Sequence, residues 1–348
     1  MTGARAHLIL IVLTAILTVA AAIFFFAEPV LTLRGWLVAF VWVTMVPIGS
    51  LFLLAIHRLT GGEWGLALSP VLEPAARAIG PMALLSLPIL LFSGRIYRWS
   101  DSSLPEVVAR FYMNAPFYAL RTVVALMVWS AFAWTPSLRN TPSRAAIVLI
   151  VLGLITNIIP VDWVVSAQPG FYSSAFGFGF SIEQMLAALA FCAIVGPQGE
   201  ERRECRDLAG LLVALLLAWT YFFYIQFAIV WYGNLPEKAA WYVIRSEFPW
   251  PHIGGFAFTI GAVLPFLALL NKEVRQSKQS LRLIGAAMFL AILLHAIWLV
   301  VPSLGTATLA PAILNIALMG TMFALWLLRN VGWAPPHEDS SKTVASLG

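Results

Sequence analysis

GWLVAFVWVTMVPIGSLFLLAIHRLTGGEWGLAL, residues 35 to 68, decides the fold. Residues 35–56 carry no charge, and a helix of about 20 apolar residues crosses the hydrocarbon core of a bilayer. His57 and Arg58 then mark a membrane surface. Gly61 and Gly62 follow, the residue type that takes positive φ freely and so allows a tight reversal. Trp64 re-enters the interface, where an indole keeps its ring in apolar surroundings and its N–H wet. The stretch therefore predicts a span, a surface turn capped by His57, and the start of another span.

The same pattern repeats along the chain. Apolar runs fall at 7–26, 35–57, 75–93, 113–134, 144–161, 171–195, 207–232, 253–271, 281–301 and 308–329. Pro74, Pro81 and Pro88 punctuate the third, which spans tolerate when neighbours satisfy the freed carbonyls. Runs this long and continuous are helices, not barrel strands. The 348 residues are 61% hydrophobic and only 11% charged, where soluble domains carry roughly 25% charged residues. The mean hydropathy of +0.88 agrees. The expectation is an all-α integral membrane protein of about ten transmembrane helices. Residues 1–330 form a single polytopic domain, and 331–348 form a polar, disordered cytoplasmic tail. The first run is read as a retained span, since no small-residue cleavage site and soluble domain follow it.

Orientation follows from Lys and Arg. Of 21, 14 fall on the side that holds both chain ends, six on the other, and Arg121 lies within a span. The bias places both termini in the cytoplasm. The net charge of +5 thus reports topology and gives no reason to expect nucleic acid. Two cysteines cannot build a disulfide framework or a four-thiolate cluster. The five histidines are scattered, and no metal motif appears. His57 and His295 lie about 20 Å apart along the membrane normal by helix rise, too far to share a haem iron. Without Rossmann glycines, P-loop or zinc motif, any electron carrier is external and lipid-soluble, such as a quinone.

Ionisable groups in an apolar layer are costly and are candidates for function. They are Arg121, Glu183, His295 and Asp162, joined by Gln184, Gln226, Asn114 and Asn157. Their depths bias them to the outer half, as a wet path open to the outer face requires. In that reading Glu183 is the innermost proton-exchanging carboxyl and His295 a relay. Against it stands a static ion pair, with Arg121 neutralising Asp162 or Glu183. Asn and Gln serve equally as packing contacts between helices.

Six stretches carry a family resemblance: HRLTGGEWG (57–65), YMNAPFYALR (112–121), VDWVVSAQPGFYSSAFGFGF (161–180), WTYFFYIQFAIVWYGNLPEKAAWYVIR (219–245), LPFLALLNKEVR (264–275) and WLVVPS (298–303). In this order they resemble the second quinone-binding-type membrane subunit of alternative complex III. That complex is a bacterial quinol:cytochrome c oxidoreductase, and its membrane subunits belong to the polysulfide-reductase membrane-subunit superfamily. The resemblance implies two four-helix bundles plus a flanking helix pair in a bacterial inner membrane. It implies partners holding the redox centres: an iron–sulfur protein, a haem c protein and a paralogous membrane subunit. It implies a non-catalytic or accessory subunit with a structural, proton-conducting or quinone-contacting role, and no cofactor held covalently or by metal ligation. Departures are His57-Arg58 where the family tends to His-His, Glu183 where a small residue precedes Gln184, and His295 where an acid precedes the Trp298 motif. The chain is also shorter than the family's usual length. The alternatives are a secondary transporter, which ten helices with a broken third span allow, and a membrane scaffold for peripheral redox subunits.

Overall fold

The computed structural model describes residues 2–97, 99, 111–168, 171, 173–196 and 202–330. The tail 331–348 lies outside the described residues, as do three of the basic positions counted for topology, Arg98, Arg110 and Lys342. Ten helices are long and apolar enough to cross a membrane. They are α1 (Arg5–Ala27), α2 (Pro29–Thr60), α3 (Glu63–Leu91), α4 (Ala115–Trp134), α5 (Pro142–Ala167), α6 (Phe176–Val195), α7 (Arg202–Tyr232), α9 (Trp250–Leu269), α10 (Lys278–Leu304) and α11 (Thr306–Asn330). A short helix, α8 (Pro236–Ile244), lies between α7 and α9. Among the described residues there is no strand. The chain is an all-α, multi-pass membrane protein. Ten crossings put both ends of the helical region on one face, here the chain-end face; the other is the far face.

The turn at 57–64 closes as its residues require. Gly61 and Gly62 take φ of 68° and 98°, values that strain any residue with a Cβ. The His57 ring nitrogen Nε2 lies 2.9 Å from the Gly62 carbonyl oxygen, and its ring meets Trp64 edge-on at 5.1 Å. Glu63 reaches the start of α7 through Arg203 at 2.8 Å. The next helix therefore starts at Glu63 rather than at 75, because the two glycines complete the reversal alone. Pro70 falls inside α3, and the carbonyl it leaves free, that of Leu66, accepts the Ser69 hydroxyl. Pro81 likewise frees the Arg77 carbonyl, which accepts the Trp134 indole N–H at 3.1 Å. Neighbouring side chains thus satisfy the broken span, as an apolar layer demands.

The helices pack as two rings and a pair. The helices α2, α3, α4 and α5 close one four-helix bundle, and α6, α7, α9 and α10 close a second. The flanking pair is α1 and α11. Helix α2 is the hub: it touches α6, α10 and α11 as well as its own bundle and is almost wholly buried. Its approach to α6 is so close that a Cβ on Gly49 would lie 1.9 Å from the Gln184 carbonyl oxygen. Any larger residue there would push the bundles apart. Helix α1 instead exposes Leu8, Ile9, Val12, Ile16, Val19 and Ile23, the apolar surface of a helix that meets lipid tails.

Candidate functional site

Each bundle buries one acid–base pair toward the far face. In the first, Arg121 lies six residues in from the start of α4 and Asp162 five from the end of α5, about 8–9 Å deep by helix rise. The guanidinium grips the carboxylate with two bonds, Nε to Oδ2 at 2.6 Å and Nη2 to Oδ1 at 2.8 Å. Its Nη1 donates to the Tyr112 carbonyl at 3.1 Å. Arg121 is also covered by the rings of Tyr112 and Phe117, at 4.1 and 4.7 Å. The Ser166 hydroxyl donates to the Asp162 carbonyl oxygen. Around them the Tyr97 hydroxyl meets that of Tyr118 at 3.0 Å and donates to the Trp163 carbonyl, while the Trp163 indole donates to Thr122. Burial first, and the Asp162 charge second, push the Tyr112 phenol up to about 12. The polar groups of this end are tied to each other, and charge-assisted bidentate pairs are the strong kind.

The second pair joins α6 to α10. Glu183 lies seven residues into α6 and His295 nine from the end of α10, about 10–14 Å deep. One carboxylate oxygen, Oε1, lies 2.6 Å from His295 Nδ1. Glu183 is 2% exposed and His295 6%. The imidazole stacks on Trp298 at 5.7 Å and takes Trp219 and Phe223 edge-on at 5.3 and 5.5 Å. Its other nitrogen, Nε2, is buried without a hydrogen-bond partner among the described residues. A buried polar atom in that state is uncommon and calls for an explanation.

The same two residues also line a cavity. It lies within the second bundle, between α6, α7 and α10 and under α8. Glu183, His295, Gln226, Trp219, Trp241 and Tyr242 are among its walls, and its volume is about 40 Å³. A water needs about 10–15 Å³ of such space and two to four polar partners. The cavity has room for a few waters.

Of the sequence candidates, Glu183, His295 and Gln226 thus line one space. Arg121 takes Asp162 as its partner, in the other bundle. Gln184 faces away from the cavity; its Oε1 is buried without a partner among the described residues. Asn114 caps α4 by accepting the Phe117 N–H, and Asn157 bonds the Gly153 carbonyl one turn back. Among the described residues no three of His, Cys, Asp and Glu gather as they would around a metal ion.

Sequence reasoning missed Arg245, which entered only as a loop cation in the topology count. It is 3% exposed. Its five N–H groups bond the carbonyls of Trp298, Leu299 and Trp241, the Gln168 side chain and the Ser303 hydroxyl. The signal for it was indirect: Pro302 lacks an N–H, so the carbonyl four residues earlier, that of Trp298, needs another donor.

No protein-family model matches the chain, and no curated protein matches it.

Proposed function

We propose that this chain is an accessory membrane subunit of a quinol-oxidising respiratory complex, and that its second bundle carries protons, not electrons. The order of sequence motifs from 57 to 303 supports the first part. The partners it implies are an iron–sulfur protein, a haem c protein and a paralogous membrane subunit, assembled in a bacterial plasma membrane. One observation carries the second part: the buried 2.6 Å contact between Glu183 and His295 beside a water-sized cavity. Imidazole has two nitrogens, and each can carry a proton. A proton delivered to Nε2 leaves through Nδ1 to the Glu183 carboxylate without movement of the ring. Gln226 and Tyr242 supply further hydrogen-bonding groups at the wall.

The test is E183Q and H295A in the complex purified from native membrane. Glutamine keeps the shape of glutamate and a hydrogen bond to His295 but carries no proton. General acid–base groups contribute about 10²–10⁴ to rate, so proton-coupled turnover falls on the order of 10²-fold while the complex assembles. Normal turnover and proton release in both variants would remove the role. Absence of haem c and iron–sulfur chains from the purified complex would remove the respiratory assignment.

A further inference from the structure

Helix α8 is tied to the second bundle at one end, and the tie bears on the cavity. The segment from Gly233 to Pro249 leaves α7 through Asn234, the only described non-glycine residue with positive φ, 45°. Most of α8 faces outward, and Val243 is 57% exposed. Two of its side chains turn inward, Trp241 and Tyr242, and both wall the Glu183–His295 cavity. Arg245, at the C-terminal end of α8, then fastens the segment. Its Nε and Nη2 reach the Trp298 and Leu299 carbonyls of α10 at 3.1 and 2.6 Å. Nη2 also donates to Ser303 Oγ at 3.0 Å, and Nη1 to Gln168 Oε1 at 3.4 Å.

One of the acceptors on α10 is open for a covalent reason. Pro302 cannot donate to Trp298, so that carbonyl is left open one turn below the His295 stack. The guanidinium lies 3.3 Å from the Trp241 ring centre and 5.2 Å from that of Trp298. Trp298 in turn stacks on His295, and Trp241 stacks on Phe171 at 4.5 Å. Arg245 therefore touches both the lid tryptophan and the tryptophan that holds the imidazole. All its acceptors are neutral, and among the described residues no carboxylate lies within ion-pair distance. Burial pushes the guanidinium well below its ordinary value, the direction for a cation out of water. A clamp made only of neutral acceptors is easier to part than a buried ion pair, in which separation strands two charges.

We propose that Arg245 is the latch of a lid, with α8 closing the Glu183–His295 cavity toward the far face and release of Arg245 opening it. Arg245 acts through Trp241 and Trp298 and is a positioning residue. The proposal takes the cavity's role from the preceding section, but its test reads access alone. Leu299→Cys places a thiol on the cavity wall, and Leu152→Cys places one in the core of the first bundle. Each is made in the full complex in native membrane, with and without R245Q, and treated from the far face with a membrane-impermeant maleimide. With Arg245 present, both thiols react slowly. With R245Q, Cys at 299 reacts at least tenfold faster and Cys at 152 does not change. Equal rates at 299 with and without R245Q would overturn the latch. A rise at both positions would overturn it too, since Arg245 would then hold the whole fold and not the lid. Loss of proton-coupled turnover is read separately in E183Q, so failure of the proton role and failure of the latch are distinguishable.

Discussion

The two bundles bury similar pairs of charged side chains at similar depth and use them differently. Arg121 and Asp162 meet in a two-point grip, with two aromatic rings over the guanidinium and a carbonyl on its third nitrogen. Glu183 and His295 meet at one contact, one imidazole nitrogen has no partner among the described residues, and both residues line a cavity. In the first arrangement each carboxylate oxygen accepts one guanidinium bond, the strong bidentate form. In the second, one imidazole nitrogen has no hydrogen-bond partner among the described residues. A buried charge in a span is thus a weak sign of function alone.

The largest test of this contrast is D162N. Removing one partner of a buried pair leaves the other uncompensated, at about 3–5 kcal/mol. The expected result is a clear drop in the melting temperature of the solubilised protein and in the yield of assembled complex. A melting curve like the wild type would mean that the first pair is not locked. E183Q sharpens the comparison from the other side. Its amide keeps a bond to His295, so stability changes by about 1 kcal/mol while proton-coupled turnover falls. If E183Q melts as low as D162N, the two pairs are equivalent and the contrast is lost.

A smaller effect concerns Thr122→Val. The Trp163 indole loses its acceptor at 3.2 Å, with an expected cost of about 1–3 kcal/mol for a buried donor left unmade. Thermal unfolding should register it without any change in turnover, and reduced turnover with unchanged stability would link the first bundle to the proton path.

The smallest effect is at alkaline pH. Tyr112 and Tyr242, one at the far end of each bundle, are both pushed from 10.0 up to about 12, mainly by burial. A phenol that holds its proton more tightly when folded contributes stability in full below pH 10. That contribution is lost as pH rises to about 12. Melting temperatures measured across that window should fall for the wild type. Y112F and Y242F should each remove part of the slope, and an unchanged slope in both would place the titrating group elsewhere. Y242F alone also alters the cavity wall, so a turnover change confined to it would again separate the bundles.

Ten spans, their approximate limits and the turn at 57–64 were legible in the sequence. Each rests on local physics: a run of about 20 apolar residues has one stable arrangement in lipid, and paired glycines beside a basic, aromatic cluster mark a surface. The third span began earlier than its hydropathy indicated, because Gly61 and Gly62 complete the reversal alone, and Ser69 and Trp134 satisfy carbonyls that its prolines free. Nothing near a proline in sequence announces which distant indole will serve it.

The candidate charges were equally legible, because an ionisable residue stands out in an apolar run. Their pairing was not. Arg121 had Asp162 and Glu183 as possible partners, and the choice falls on a residue 41 positions away, while Glu183 takes one 112 positions away. Arg245 read as a loop cation, since three of its five acceptors are backbone carbonyls that any sequence carries. Hydropathy and turn chemistry act within one helix length, so residue order alone determines how many helices cross and where they turn. Helix contacts and the open acceptors they leave depend on packing across the whole bundle, so only the tertiary structure decides which buried acid meets which base.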